Sequence, residues 1–324
     1  MWRYHEALND LDPSLVTMGE GMTPLVALAP GVVAKLEFAS PTLSFKDRGA
    51  ATVIAAAVAA GATSVVTDSS GNAGTAVSAY AARAGLAAHV YVPEATADAK
   101  LAQMAAHGAV VHRVAGSREA TASVALEAFV AGNHYVASHV WNPWFTQGTK
   151  TFAFEVWEQL GGRLPDTLVL PAGNGTLVVG AWLGMLELVS AGATPRTSRI
   201  VAVQAEACAP LAAAMSDQPI SRAPRSSFGH RIPATVTRAE GIAISAPRRL
   251  VQMVQAISAS GGTVITVGEE AINDAWRSLA ARGLFVEPTA AVTWAAICGH
   301  PDLATDAVTP LCGAGLKNPG SWVA

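Results

Sequence analysis

Charge is scarce in this 324-residue chain. Asp, Glu, Lys and Arg make up 14% of it, against about 25% in an ordinary soluble domain. The formal net charge is −3, which leaves no basic face or arm for a nucleic acid. Aromatic residues are few, at 6%. The three cysteines, Cys208, Cys298 and Cys312, are odd in number and far apart, so they form no disulfide framework and suit a reducing cytoplasm. The eight histidines show no zinc-ligand spacing, and no metal is expected. A Gly-x-Ser-x-Gly elbow is also missing, which removes the nucleophile turn of a serine hydrolase.

Apolar side chains are abundant, at 51%. That excludes a disordered chain, because burial can outweigh the entropy lost on folding. The uncharged stretch 49–66 is about as long as a membrane span. It is rich in Ala, is interrupted by Gly61 and Ser64, and directly follows Lys46-Asp47-Arg48. A buried helix followed by a buried strand accounts for it without a membrane. The first residues lack the apolar centre of a signal peptide. A soluble cytoplasmic protein of two domains or lobes is the expectation at this length.

From residue 46 onward, helical and strand-like segments alternate with short Gly-marked turns. Strands are expected at 64–67, 88–92, 109–112, 135–137, 167–170, 200–203, 263–266 and 308–311. Helices are expected at 47–60, 72–85, 97–107, 117–131, 147–160, 177–191, 269–282 and 289–298. Such α/β alternation with nearly continuous apolar strands predicts parallel sheets covered by helices, in two doubly wound lobes. A ligand then belongs at the carboxyl ends of the strands. Residues 216–247, with several Pro, Gly and Arg, break the pattern and read as a long surface excursion, and the Arg run in 222–249 reads as solvated loop rather than an anion site. Trp141, Trp144 and Trp157 read as core or lobe-junction packing.

Four loops could carry chemistry. In the first, Lys46 enters a strongly apolar helix, where desolvation would favour the neutral amine that Schiff-base formation needs. From the residues alone, a solvated lysine paired with Asp47 is the commoner case. The second, Ser69-Ser70-Gly71-Asn72-Ala73-Gly74, joins a strand to a helix and offers backbone N–H groups to a carboxylate; an ordinary N-cap reads equally well. The third, Pro171-Ala172-Gly173-Asn174-Gly175-Thr176, could cradle a phosphate but lacks the Gly-Lys-Ser/Thr ending of a P-loop. In the fourth, Leu311-Cys312-Gly313-Ala314-Gly315-Leu316-Lys317, two glycines permit close approach of a ligand at which Cys312 or Lys317 points, or simply form a tight turn over a buried cysteine.

Together, and in this order, these loops resemble those of the fold-type II pyridoxal-phosphate enzymes (tryptophan synthase β-like), in particular the threonine synthase branch. Gly19-Glu20-Gly21-Met22-Thr23-Pro24-Leu25, Ser44-Phe45-Lys46-Asp47-Arg48-Gly49, Ser69-Ser70-Gly71-Asn72 and Glu287-Pro288-Thr289-Ala290-Ala291 carry the resemblance, which covers about residues 18–317. It implies that pyridoxal 5'-phosphate is the cofactor and that Lys46 holds it as a Schiff base and moves protons. It further implies that Asn72 binds the ring hydroxyl, that Gly173, Asn174, Gly175 and Thr176 bind the phosphate, and that Cys312 faces the ring nitrogen. Ser69, Ser70, Gly71 and Ala73 would receive the substrate, with the carboxylate on the first three. The resemblance implies a homodimer. It also implies a large cofactor domain, 1–46 with 141–324, and a small movable substrate domain, 47–140.

The chain departs from the branch in three places, one of them Ala73, where the family often has Thr after the cofactor Asn. Where threonine synthases have Asn-Pro-Thr-Gly, it has Ser40-Pro41-Thr42-Leu43. The Asn, Ser and Arg that grip the substrate phosphate in that branch fall on His139, Val140 and Phe145, which lack the Arg fork a dianion needs. The expected function is a threonine synthase-like lyase that performs β- or γ-elimination or replacement on a small α-amino acid other than phosphohomoserine. Authentic threonine synthase, a serine/threonine ammonia-lyase and a catalytically silent cofactor- or amino-acid-binding homologue are the alternatives.

Overall fold

The computed structural model describes residues 1–116, 118–132, 134–216 and 237–317. In chain order its elements are β1 (Leu25–Ala29), β2 (Val32–Lys35), α1 (Lys46–Ala59), β3 (Ser64–Thr67), α2 (Asn72–Arg83), β4 (Ala87–Pro93), α3 (Asp98–Ala106), β5 (Val110–Val114), α4 (Arg118–Gly132) and β6 (Tyr135–Val136). There follow α5 (Pro143–Gln159), β7 (Thr167–Pro171), α6 (Thr176–Ser190), β8 (Arg199–Ala205), α7 (Pro210–Ser216), α8 (Leu250–Ala259), β9 (Thr263–Val267), α9 (Glu269–Ala281), α10 (Pro288–Gly299) and β10 (Ala307–Pro310). The chain forms two compact units: Met1–Met22 with Ser40–Thr151, and Thr23–Ala39 with Phe152–Ala324.

The first unit holds a four-stranded parallel sheet in the order β5-β4-β3-β6. Val90 and Val92 of β4 pack with Leu101 and Met104 of α3, while His89 and Tyr91 alternate to the other side of the strand. The uncharged stretch that is about as long as a membrane span is α1 and β3. From Asp47 to Ala57, α1 is buried throughout, and its small side chains let neighbours approach its backbone. A Cβ on Gly148 would lie 2.0 Å from Arg48 O, and Thr52 Oγ1 donates to Trp144 O at 2.7 Å. No helix among the described residues is long and apolar enough to cross a membrane.

The observed units differ from the expected division at 46/47 and 140/141. Leu8, Leu11, Val16 and Phe145 share one core with α1 and α2, so the N-terminal segment and the start of α5 belong with the four-stranded sheet. Glu20 secures that segment: its buried carboxylate accepts from Trp2 Nε1, Met18 N and the Tyr80 hydroxyl of α2. Burial, followed by the charges of Asp47 and Glu20, pushes the Tyr80 phenol far above its ordinary range. Trp144 packs against this core, whereas Trp141 is 59% exposed and corrects the packing expectation for that residue.

The second unit holds a six-stranded sheet, β1-β2-β10-β7-β8-β9, antiparallel only between β1 and β2. β7 and β10 are buried along their whole length, as central parallel strands must be when helices cover both faces. Lys35 and Glu155 form a fully buried ion pair at 3.0 Å, and Lys35 also donates to Thr23 O and Gln159 Oε1.

The 216–247 excursion is corrected in part. Residues 217–236 lie outside the described residues, but Ala239 and Ile242 are buried, and Gly241 N donates to Thr289 Oγ1 of α10 at 3.1 Å. This stretch therefore packs into the second unit.

Both sheets reverse their winding next to one strand. In the first unit, β4 and β5 lie on one side of β3 and β6 on the other; in the second, β8 and β9 lie on one side of β7 and β10 on the other. Loops leaving neighbouring strands at such a reversal diverge and open a crevice at their carboxyl ends. The loops after β3, β6, β7 and β10 are those that carry the expected site residues.

Candidate active site

Lys46 is the first residue of α1. The turn before it is closed by Asp47, whose buried carboxylate accepts from Thr42 N at 2.6 Å and from the Thr42 hydroxyl. Leu43 in this turn has φ +63°, a left-handed conformation that suits glycine. Lys46 Nζ lies 4.5 Å from the Phe45 ring centroid and 5.8 Å from that of Phe145. Phe145 is fully buried and fills a notch in α1: a Cβ on Gly49 would lie 2.1 Å from its Cδ1. His139 meets the same ring edge-on, with centroids 5.9 Å apart. The first unit thus brings Lys46, His139 and Phe145 together.

The loop after β3 runs from Asp68 into α2, which begins at Asn72. No side chain caps α2 through an N-cap hydrogen bond, so the N-cap reading of the serines does not hold. Ser69 Oγ accepts instead from Gly71 N at 3.4 Å. The glycine that this turn requires is Gly74, where a Cβ would lie 1.9 Å from Ser69 O; at Gly71 a Cβ would meet open space. Ala73 is buried in the core. The segment after β6 continues alongside, with Ala137 N donating to Val66 O at 2.8 Å. Ser138 Oγ donates to Asp68 Oδ1 at 3.2 Å, which ties the His139 segment to the Ser69–Ser70 turn.

In the second unit, the 173–176 loop leaves β7 and starts α6. Gly175 is its N-cap, with φ +87° and no side-chain cap, so the helix starts without a side-chain acceptor at its N-terminus. A Cβ on Gly173 would lie 2.9 Å from Gly241 O, which makes glycine necessary there. Cys312 follows the neighbouring strand β10 and is buried, with Sγ 4.0 Å from Pro310 O. Its loop is held by Glu287: Glu287 N donates to Gly313 O at 2.9 Å, and the carboxylate occupies the place where a Gly313 Cβ would stand. Gly241, its bond to Thr289 and the Glu287–Gly313 contact escaped the sequence reading. The Ala239/Ile242 apolar pair around a glycine was the available signal for the first of these.

Residues 16–313 match the family described as Pyridoxal-phosphate dependent enzyme. The chain belongs to this family. The chain is 33% identical to the threonine synthase of Synechocystis sp. over 335 residues, 98% of this chain and 82% of that protein. It is 31% identical to the threonine synthase of Methanocaldococcus jannaschii over 339 residues, 100% of this chain and 82% of that one. Among solved structures, maize serine racemase superposes with a TM-score of 0.79 at 20% identity, covering 98% of this chain and 95% of that one. The processed form of threonine deaminase isoform 2 from Solanum lycopersicum gives 0.78 at 18% identity, covering 97% and 84%. Both likenesses are likenesses of fold. The protein is a threonine synthase-like member of the fold-type II pyridoxal-phosphate-dependent enzymes.

The residues of this pyridoxal-phosphate-dependent enzyme fit the cofactor by their own chemistry. The 173–176 loop offers a phosphate a helix N-terminus that no side chain caps. Near Lys46, the buried hydroxyls of Ser40 and Ser44 have no hydrogen-bond partner among the described residues. Unsatisfied buried donors are rare in a protein on its own and are explained by a ligand that completes them. Among the described residues, no group of His, Cys, Asp and Glu is arranged to hold a metal ion.

Proposed function

We propose that this enzyme acts on a small α-amino acid whose side group carries no phosphate, by elimination or replacement at Cβ or Cγ. The observation that carries the reading is the buried Phe145 ring beside Lys46 Nζ. An apolar ring cannot neutralise a dianion, and a phosphate without paired donors is costly to desolvate.

Pyridoxal phosphate supplies an electron sink for charge that develops at the substrate Cα. Lys46 Nζ would hold the cofactor and move the proton at Cα, and Asn72 would hydrogen-bond the ring hydroxyl. Ser69, Ser70 and Gly71 would receive the substrate carboxylate on the uncapped start of α2. Ala73, His139 and Phe145 would shape the wall against its side group. Gly173, Asn174, Gly175 and Thr176 would take the cofactor phosphate. The buried Cys312 thiol would face the ring nitrogen as a neutral partner, which suits elimination and replacement over transamination. A cytoplasmic homodimer is part of the same reading, supported on the first count by three free thiols.

Steady-state turnover of phosphohomoserine, serine, threonine and their uncharged O-acyl derivatives tests the proposal. An uncharged substrate is expected to exceed phosphohomoserine in kcat/KM by about 100-fold or more. Phosphohomoserine converted to threonine faster than any of the others is turned over would contradict it and establish threonine synthase. Ammonia and a 2-oxoacid released from serine or threonine would place the enzyme with the ammonia-lyases.

A further inference from the structure

Arg249 precedes α8 directly, and it sits against the phosphate loop. A Cβ on Gly175 would meet Met253 Sδ at 2.7 Å and Arg249 Cβ at 3.3 Å, so the arginine stem starts at van der Waals distance from the residue that caps α6. The side chain is half-buried. Its Nη1 donates to the neutral Gln252 Oε1 at 3.1 Å, while its buried Nε has no hydrogen-bond partner among the described residues. Desolvation lowers the guanidinium's affinity for its proton, and no carboxylate among the described residues offsets this.

A guanidinium partly withdrawn from water beside a neutral partner is stabilised when an anion completes it. The Arg249 stem starts beside Gly175, the N-cap of α6, where no side chain caps the helix and the helix dipole favours a dianion. We propose that Arg249, from a run that reads as solvated loop in the sequence, is a further cofactor-binding residue that supplies a positive charge to the phosphate on the 173–176 loop. This rests on the assignment of that loop to the cofactor phosphate.

Equilibrium titration of the apoenzyme with pyridoxal phosphate, and with pyridoxal lacking the phosphate, separates the two ideas. Tryptophan fluorescence reports binding, and circular dichroism checks the fold. Arg249→Gln is expected to weaken pyridoxal phosphate about 10- to 100-fold and to leave pyridoxal unchanged, with Arg249→Lys in between. Thr176→Val is expected to weaken pyridoxal phosphate selectively as well. If Thr176→Val does so but Arg249→Gln binds both ligands as the wild type does, or weakens both equally, the Arg249 role is overturned and the loop assignment stands. If neither variant reduces the preference for the phosphorylated ligand, the loop assignment itself fails.

Discussion

Phe145 occupies the notch that Gly49 leaves in α1, with its Cδ1 only 2.1 Å from the place of a Gly49 Cβ. The pair sets both the packing behind Lys46 and the apolar character of the wall beside it. Overpacking at Gly49→Ala should therefore cost about 1–3 kcal/mol, despite the gain of roughly 1 kcal/mol that Ala brings to a helix interior. Phe145→Ala should cost about 3–5 kcal/mol. In the double variant the added methyl enters vacated space, so the two losses should fall short of their sum by at least about 1 kcal/mol. Urea unfolding of the four proteins measures this, and additive losses would show that the notch and ring do not interlock.

Leu43 tests the turn that presents Lys46. Its φ of +63° is a conformation in which a Cβ is crowded, and the threonine synthases resembled here have glycine at this position. Leu43→Gly and Leu43→Ala both remove the half-buried side chain, so their difference isolates the backbone. Gly should be the more stable by about 1 kcal/mol. Equal midpoints of thermal unfolding would mean that the turn is unstrained.

His89 makes the first unit sensitive to acid. Its Nδ1 lies 3.1 Å from His112 Nε2, and its ring is 4.6 Å from that of His134. His134 Nδ1 is bonded to Ser64 Oγ, and Tyr91 stacks on His112. Burial, followed by the charges of His134 and His112, lowers the His89 pKa below 6.5. Between 6.5 and that lowered value the unfolded chain binds more protons than the native one, so stability falls as pH falls through this window. The urea midpoint should drop between pH 7.5 and 5.5, and drop less in His89→Gln. An equal drop in the two proteins would remove His89 as the cause.

Elements with a strong local signal were legible in the sequence, and closeness between distant residues was not. β3 matches the expected 64–67 to the residue because Gly61 and a polar loop bracket a short apolar run. α5 begins at Pro143 rather than near 147, since proline at a first helical position reads as a break when the fold is unknown. β1 and β2 went unread: they are short, and β1 lies at the sheet edge, half-exposed and without alternation. α8 did carry helical spacing in Met253, Ala256 and Ile257, but the Pro- and Arg-rich run before it obscured the start. The site was legible as motifs, and Lys46 stood out only once all four loops were taken together. Which glycine a loop needs, Gly74 rather than Gly71, depends on where Ser69 O folds back, and periodicity does not reveal that. The same holds for Arg249 beside Gly175 and for Glu287 over Gly313.

The most direct measurement of the account is borohydride reduction of the cofactor-loaded enzyme, followed by digestion and peptide mass spectrometry. The mass of a reduced pyridoxal-phosphate adduct is predicted on Lys46 and on no other lysine, and Lys46→Ala should be unlabelled and lose the visible absorbance of the wild type. An adduct on another lysine, or an enzyme that turns over amino acids with Lys46 unmodified and replaceable, would contradict it.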